Sequence, residues 1–219
     1  VFINEEGLVR GVLSDWRSAA VGGRLRAALG FIEKLTLTPD HVTPEDAAAL
    51  RAEGVSGRAI IDAVYVCVGF NIINRIADAL GFRVPPPHAF GGGAKFLRRF
   101  GYRLLSGSFK GASGAPPAAA HAAGDAFADD PYRPLVERLT ATVFSGPGTL
   151  DRGVREAAGA CAEVPGALGR YIDEVARGSY ASVPADMAAL RREGYSDDQI
   201  FEATVSAALG AGLRRRAAG

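Results

Sequence analysis

The sequence predicts an all-α fold made from two copies of one three-helix unit, and three observations carry that expectation. Residues 44–75 align without gaps on residues 184–215, an offset of 140, with 12 of 32 positions identical. Alanine is the commonest residue, 40 of 219, and Ala-rich chains poor in β-branched residues favour helix. No segment alternates apolar and polar positions with β-formers, as a half-buried strand would.

The first helix of copy one is predicted at 24–36, where Leu25, Leu29, Ile32 and Leu35 recur three or four residues apart. Its counterpart falls at 165–177, with Phe31-Ile32-Glu33-Lys34-Leu35 facing Tyr171-Ile172-Asp173-Glu174-Val175. The second helix is short. Thr43 is placed to cap it, Pro44 takes the first helical position, and Asp46 stands where a capping acid belongs. Gly54 follows as a left-handed stop with apolar Val55 behind it, and Gly194 with Tyr195 repeat the arrangement. Ser56 and Ser196 then start the third helices, Ser196 forming a capping box with Gln199. The third helix of copy one is expected to run from Arg58 to Leu80 and stop at Gly81, ahead of Pro85-Pro86-Pro87. Its counterpart runs from Asp197 to the end of the chain, where Arg214-Arg215-Arg216 read as cations complementing their own helix end. Further helices are expected at 94–105 and 132–144. Residues 111–131 hold 15 Ala, Gly or Pro in 21 positions and read as a flexible linker. The expected organisation is thus 1–110 for the first repeat and its flanking helices, 111–131 for the linker, and 132–219 for the second, divergent repeat.

Charge and cysteine content narrow the function classes. With 25 basic and 24 acidic residues the formal charge is +1, so no global field draws nucleic acid. Lys95, Arg98, Arg99 and Arg103, interleaved with Phe96, Leu97, Phe100 and Tyr102, read as the solvated face of an amphipathic helix. Cys67 and Cys161 are too few for a disulfide framework or a four-cysteine zinc site, and His41, His88 and His121 are scattered. No metal and no cofactor is expected. Gly91-Gly92-Gly93 follows no strand, which leaves a phosphate loop unsupported, and Glu5-Glu6 and Asp129-Asp130 make no hydrolase pair. The longest apolar run, Ala63–Val68 and on to Ile73, is bracketed or broken by Asp62, Asn71, Asn74 and Arg75. It reads as too short and too polar for a bilayer, the N-terminus shows no secretory pattern, and a cytoplasmic protein is expected.

The densest polar signal lies on the third helix of copy one. Cys67, Asn71, Asn74 and Asp78 share one helical face, with Arg75 beside them. An unpaired buried amide costs roughly 1–3 kcal/mol, so this stripe must find partners. It is either a polar site or a structural network in which Arg75 pairs with Asp78 or with the second copy. Copy two carries Ala207, Ala211 and Arg214 where copy one has Cys67, Asn71 and Asn74. The halves are therefore not equivalent. Cys67 reads as a small buried side chain; Cys161, between Glu156 and Glu163, reads as a structural thiol, with a single, partly exposed thiol as the alternative.

Four stretches together carry a resemblance. They are Leu25-Arg26-Ala27 through Lys34-Leu35-Thr36, Pro39 through Thr43, Ala49-Leu50-Arg51-Ala52-Glu53-Gly54-Val55-Ser56, and Phe70-Asn71-Ile72-Ile73-Asn74-Arg75-Ile76-Ala77-Asp78-Ala79-Leu80-Gly81. From Leu8 to Phe82 the chain resembles the carboxymuconolactone decarboxylase and alkylhydroperoxidase-D-like superfamily, most closely its peroxidase-related branch. Residues 164–216 resemble the same unit more weakly.

The resemblance implies an all-α, alkylhydroperoxidase-D-like fold built from two pseudo-repeats, and a homo-oligomer. Its peroxidase members reduce hydroperoxides with a Cys-x-x-Cys pair served by a Glu and a His. One thiolate attacks the peroxide and the second resolves the sulfenic acid. That motif lies upstream of the Leu-Arg-Ala segment, and Val1–Trp16 contains neither Cys nor His. No family catalytic residue carries over; Asn71, Asn74 and Arg75 carry over as a fold signature. The expectation is a divergent, non-catalytic member that oligomerises or binds a small-molecule ligand, without nucleic-acid or membrane partners. The alternative is an active peroxidase-related oxidoreductase whose dithiol lies upstream of Val1, or which uses Cys67 or Cys161 singly.

Overall fold

A computed structural model describes residues 6–83, 130–178 and 184–219. The Lys95–Arg103 segment, Gly91–Gly93, His88, His121, the expected 94–105 helix and nearly all of the 111–131 linker lie outside the described residues. Residues 1–81 and 125–219 cluster into one compact unit, which holds every described helix.

Among the described residues every regular element is helical. Copy one contributes α1 (Glu6–Asp15), α2 (Gly23–Leu37), α3 (Pro44–Ala52) and α4 (Gly57–Ala79). Copy two contributes α5 (Arg133–Thr140), α6 (Arg152–Gly159), α7 (Gly166–Gly178), α8 (Pro184–Arg192) and α9 (Asp197–Ala218). A 3₁₀ turn, Pro39–His41, joins α2 to α3, and a π-helical turn, Ala141–Ser145, continues α5. The expected helices at 24–36, 44–53, 58–80, 132–144 and 165–177 are all present, with ends shifted by a few residues. Helices α1 and α6 add to the expected set; the local start signal for α6 is Asp151, whose side chain accepts from the Val154 amide at 3.2 Å.

The turn between the second and third helices repeats the same glycine-centred bonds in both copies. Gly54 and Gly194 adopt φ of +80° and +96°, which side-chain-bearing residues resist. The Gly54 amide donates to the Arg51 carbonyl and the Val55 amide to the Leu50 carbonyl; Gly194 and Tyr195 do the same to Arg191 and Leu190. Ser56 and Ser196 then accept from the amides of Ala59 and Gln199, each at 3.2 Å. Burial also follows the repeat. Leu35 and Val175, Leu50 and Leu190, and Ile60 and Ile200 are buried pairs 140 residues apart. Each such side chain contributes roughly 1.5–3 kcal/mol by leaving water.

The middle of helix α9 is buried nearly all round, because Ala203, Ala207, Ala208, Gly210, Ala211 and Gly212 leave its surface thin, while Phe201 and Arg214 stay exposed. It packs chiefly on α4 and then on α6 and α7. The close approach centres on Gly212, where a Cβ would stand 2.6 Å from Ile72 Cγ1. Ile72 belongs to both hydrophobic clusters, one built on copy one and one on copy two. It joins the two cores.

Helix α4 is longer than the apolar run suggested, and by length and composition it could cross a bilayer. In this fold it packs on α2, α7 and α9, and its Asn71 and Arg75 are buried against protein.

Gly212→Val places two methyl groups where Ile72 already lies. Overpacking of this kind costs about 1–3 kcal/mol, and urea denaturation of the variant should show a loss in that range. Unchanged stability would mean that α4 and α9 are not in close contact there.

Candidate functional site

Five residues marked in the sequence, Cys67, Asn71, Asn74, Arg75 and Asp78, line one cavity of about 460 Å³. The helical spacing of α4 brings them to one face. The C-terminal turn of α2 adds Thr36 and Leu37, the end of α7 adds Arg177 and Gly178, and α9 adds Arg215. Both copies therefore build the cavity. Cys161 is not among its lining residues.

Arg75 is 8 % exposed and Arg215 is 7 % exposed, and each is held by the other copy. Arg75 Nε donates to the Ala176 carbonyl at 3.3 Å, near the end of α7. Arg215 Nε and one terminal nitrogen donate to the Thr36 carbonyl at 3.3 and 3.0 Å, near the end of α2. Thr36 and Ala176 are themselves 140 residues apart. Each arginine also donates to the carbonyl four residues back on its own helix, Asn71 at 3.1 Å and Ala211 at 3.0 Å. A helix C-terminus leaves carbonyls unpaired and carries partial negative charge, so a guanidinium there answers both needs. Of the two structural pairings open to Arg75, the described bonds run to the second copy. The arginines that end α9 also work beyond their own helix: Arg215 closes α2, and Arg216 binds Asp130 and the Tyr65 hydroxyl at 2.9 and 2.7 Å.

The polar stripe is internally bonded. Asn71 Nδ2 donates to the Cys67 carbonyl at 3.0 Å and lies 3.4 Å from both Cys67 Sγ and Thr36 Oγ1. Asn71 Oδ1 accepts from Arg75 at 2.8 Å, and Thr36 Oγ1 lies 3.3 Å from Cys67 Sγ. Cys67 and Asn71 are buried, whereas Asn74 and Asp78 are exposed at the cavity mouth.

Electrostatically the cavity is positive. Burial, and then the charges of Arg215 and Arg214, lower the pKa of Arg75 to about 10, while Asp78 and Cys67 pull it back up. Burial also lowers Arg215; Cys67 opposes that shift and Arg214 adds to it. Two buried guanidiniums thus face a thiol and two amides.

The remaining candidates stand apart. Cys161 ends α6 in the left-handed position, φ +54°, with its amide bonded to the Ala158 carbonyl and the Ala162 amide to that of Ala157. It fills a place usually held by glycine. His41 is exposed in the 3₁₀ turn. Among the described residues no cluster of His, Cys, Asp and Glu could hold a metal ion. A smaller cavity of about 330 Å³ is lined by Arg133, Val136, Glu137 and Arg216 and includes none of the site residues marked in the sequence.

Thr36, Arg177 and Arg215 do not stand out in the sequence as site residues. A signal exists for one of them, since Arg75 and Arg215 are identical across the repeat. Comparison with protein-family models, curated proteins and solved structures gives no match to this chain.

Arg75→Met and Arg215→Met each strip a helix-end carbonyl of its partner. Each should lower stability by about 1–3 kcal/mol in urea denaturation. A neutral effect of both would mean that the two bonds do not hold the copies together.

Proposed function

We propose that the chain is a divergent member of the carboxymuconolactone decarboxylase and alkylhydroperoxidase-D-like superfamily, from its peroxidase-related branch, acting as a small-molecule-binding helical module and not as a dithiol peroxidase. The observation that carries this reading is the cavity. Cys67, Asn71, Asn74, Arg75 and Asp78 meet there with Arg215, and the one thiol on its wall has no second thiol beside it among the lining residues. A dithiol mechanism needs a resolving sulfur within reach of the first, because the sulfenic acid formed by peroxide attack must be condensed to a disulfide. Cys161 serves a helix end instead. The paired turns and paired arginine bonds of the two copies support a fold built from two repeats, as the resemblance implies.

A second reading has one specific observation in its favour. Cys67 sits with a hydroxyl at 3.3 Å and an amide at 3.4 Å, in a cavity also lined by Arg75, Arg177 and Arg215. A lone thiol on the cavity wall, held by a hydroxyl and an amide, is where a single-thiol peroxidase would carry its nucleophile.

An organic hydroperoxide supplied with a dithiol reductant separates the two. The binding reading predicts turnover no faster than the uncatalysed reaction of reductant and peroxide. Robust turnover that vanishes in Cys67→Ser would replace it with the second reading.

A further inference from the structure

We propose that the cavity between α4, α2, α7 and α9 takes a small monocarboxylate with a short apolar body, its carboxylate directed at Arg75 and Arg215. This rests on the reading of the cavity as a ligand site and names the ligand's chemical class.

Charge is the first argument. Among the described lining residues Arg75, Arg177 and Arg215 stand against one acid, Asp78. Arg177 also bonds Asp173 at 2.9 Å, on its exposed side. The described bonds of Arg75 and Arg215 run to carbonyls and an amide oxygen. Such dipoles carry only partial charge, so they orient a guanidinium without cancelling its full positive charge. A carboxylate matches the fork of a guanidinium and forms the stronger, charge-assisted bond. The cost that burial imposes on both arginines falls when an anion enters.

The second argument is the shape of the rest of the lining. Phe70, Val66 and Leu37 are 62 %, 55 % and 71 % exposed, and with Ile32 they form an apolar wall. A ligand with an apolar body buries that wall, while bare inorganic anions leave it wet. Asp78 settles the charge. An exposed acid on the same lining repels a dianion such as a phosphate monoester more than it repels a monocarboxylate. A cavity of about 460 Å³ falls in the usual range for small-molecule sites.

The test is isothermal titration calorimetry on the 219-residue chain in low-chloride buffer, comparing hexanoate with 1-hexanol. Hexanoate should bind at least ~10-fold more tightly, the effect of one charge-assisted bond. Asn74→Asp places a carboxylate at an exposed lining position, away from the buried arginine bonds. It should weaken hexanoate about 10-fold while leaving the far-UV circular dichroism and the melting temperature of the free protein unchanged. Arg75→Gln should weaken it further. If 1-hexanol binds as tightly as hexanoate, the carboxylate assignment falls and the cavity reading stands. Binding of neither overturns both. Hexanoate binding that Asn74→Asp leaves intact puts the anion elsewhere and overturns the assigned site.

Discussion

Each half of this protein closes a helix of the other. Arg75 reaches from α4 to the last turn of α7, and Arg215 reaches from α9 to the last turn of α2. The two arginines occupy equivalent positions in a sequence repeat, and so do the two carbonyls they bind. A helix C-terminus leaves carbonyls without intrahelical partners, and for Thr36 and Ala176 the described side-chain donor comes from the opposite copy. Among the described bonds, α2 is capped within its own copy at the Lys34 carbonyl, by the Thr38 amide and hydroxyl; its Thr36 carbonyl is bonded by Arg215. The pairing of α4 with α9, the merging of two cores through Ile72, and the position of the cavity follow from this exchange.

The exchange is symmetric, but its surroundings are not. Where α9 carries Ala207 and Ala211, both buried, α4 carries Cys67 and Asn71. Small side chains let the middle of α9 sit at the centre of the fold and touch neighbours nearly all round. Larger polar ones give α4 a bonded stripe that opens toward the surface at Asn74 and Asp78. Of these two helices at matching positions of the sequence repeat, one is central to the core and the other carries the stripe that lines the cavity. The arginines serve two ends at once. They tie the copies together, and the charge they retain makes the cavity between them positive.

How much of this is legible in the sequence depends on distance along the chain. Start and stop signals act within a few residues, so Thr43, Gly54 and Ser56, with Gly194 and Ser196 in the second copy, place the turns correctly. The stripe on α4 is legible because helical spacing alone brings Cys67, Asn71, Asn74 and Asp78 to one face. The arginine exchange is not, since its bonds join residues 101 and 179 apart in sequence. Only the identity of Arg75 and Arg215 within the repeat hints at it. The central burial of α9 is hidden for another reason. A helix whose middle is buried nearly all round shows no clean apolar stripe, and its small residues look unremarkable in a chain with 40 alanines. For Cys161 the sequence favours a structural role, but its left-handed place at a helix end is not legible, because that position is usually held by glycine.

The central claim is that the two copies stand or fall together, because each holds the other's helix end. Native-state hydrogen exchange with rising denaturant, read by mass spectrometry across α4 and α9, tests it most directly. The account predicts that the slowest amides of both helices open in one cooperative step with the same free energy. Separate openings, with α9 retained while α4 exchanges or the reverse, would contradict it.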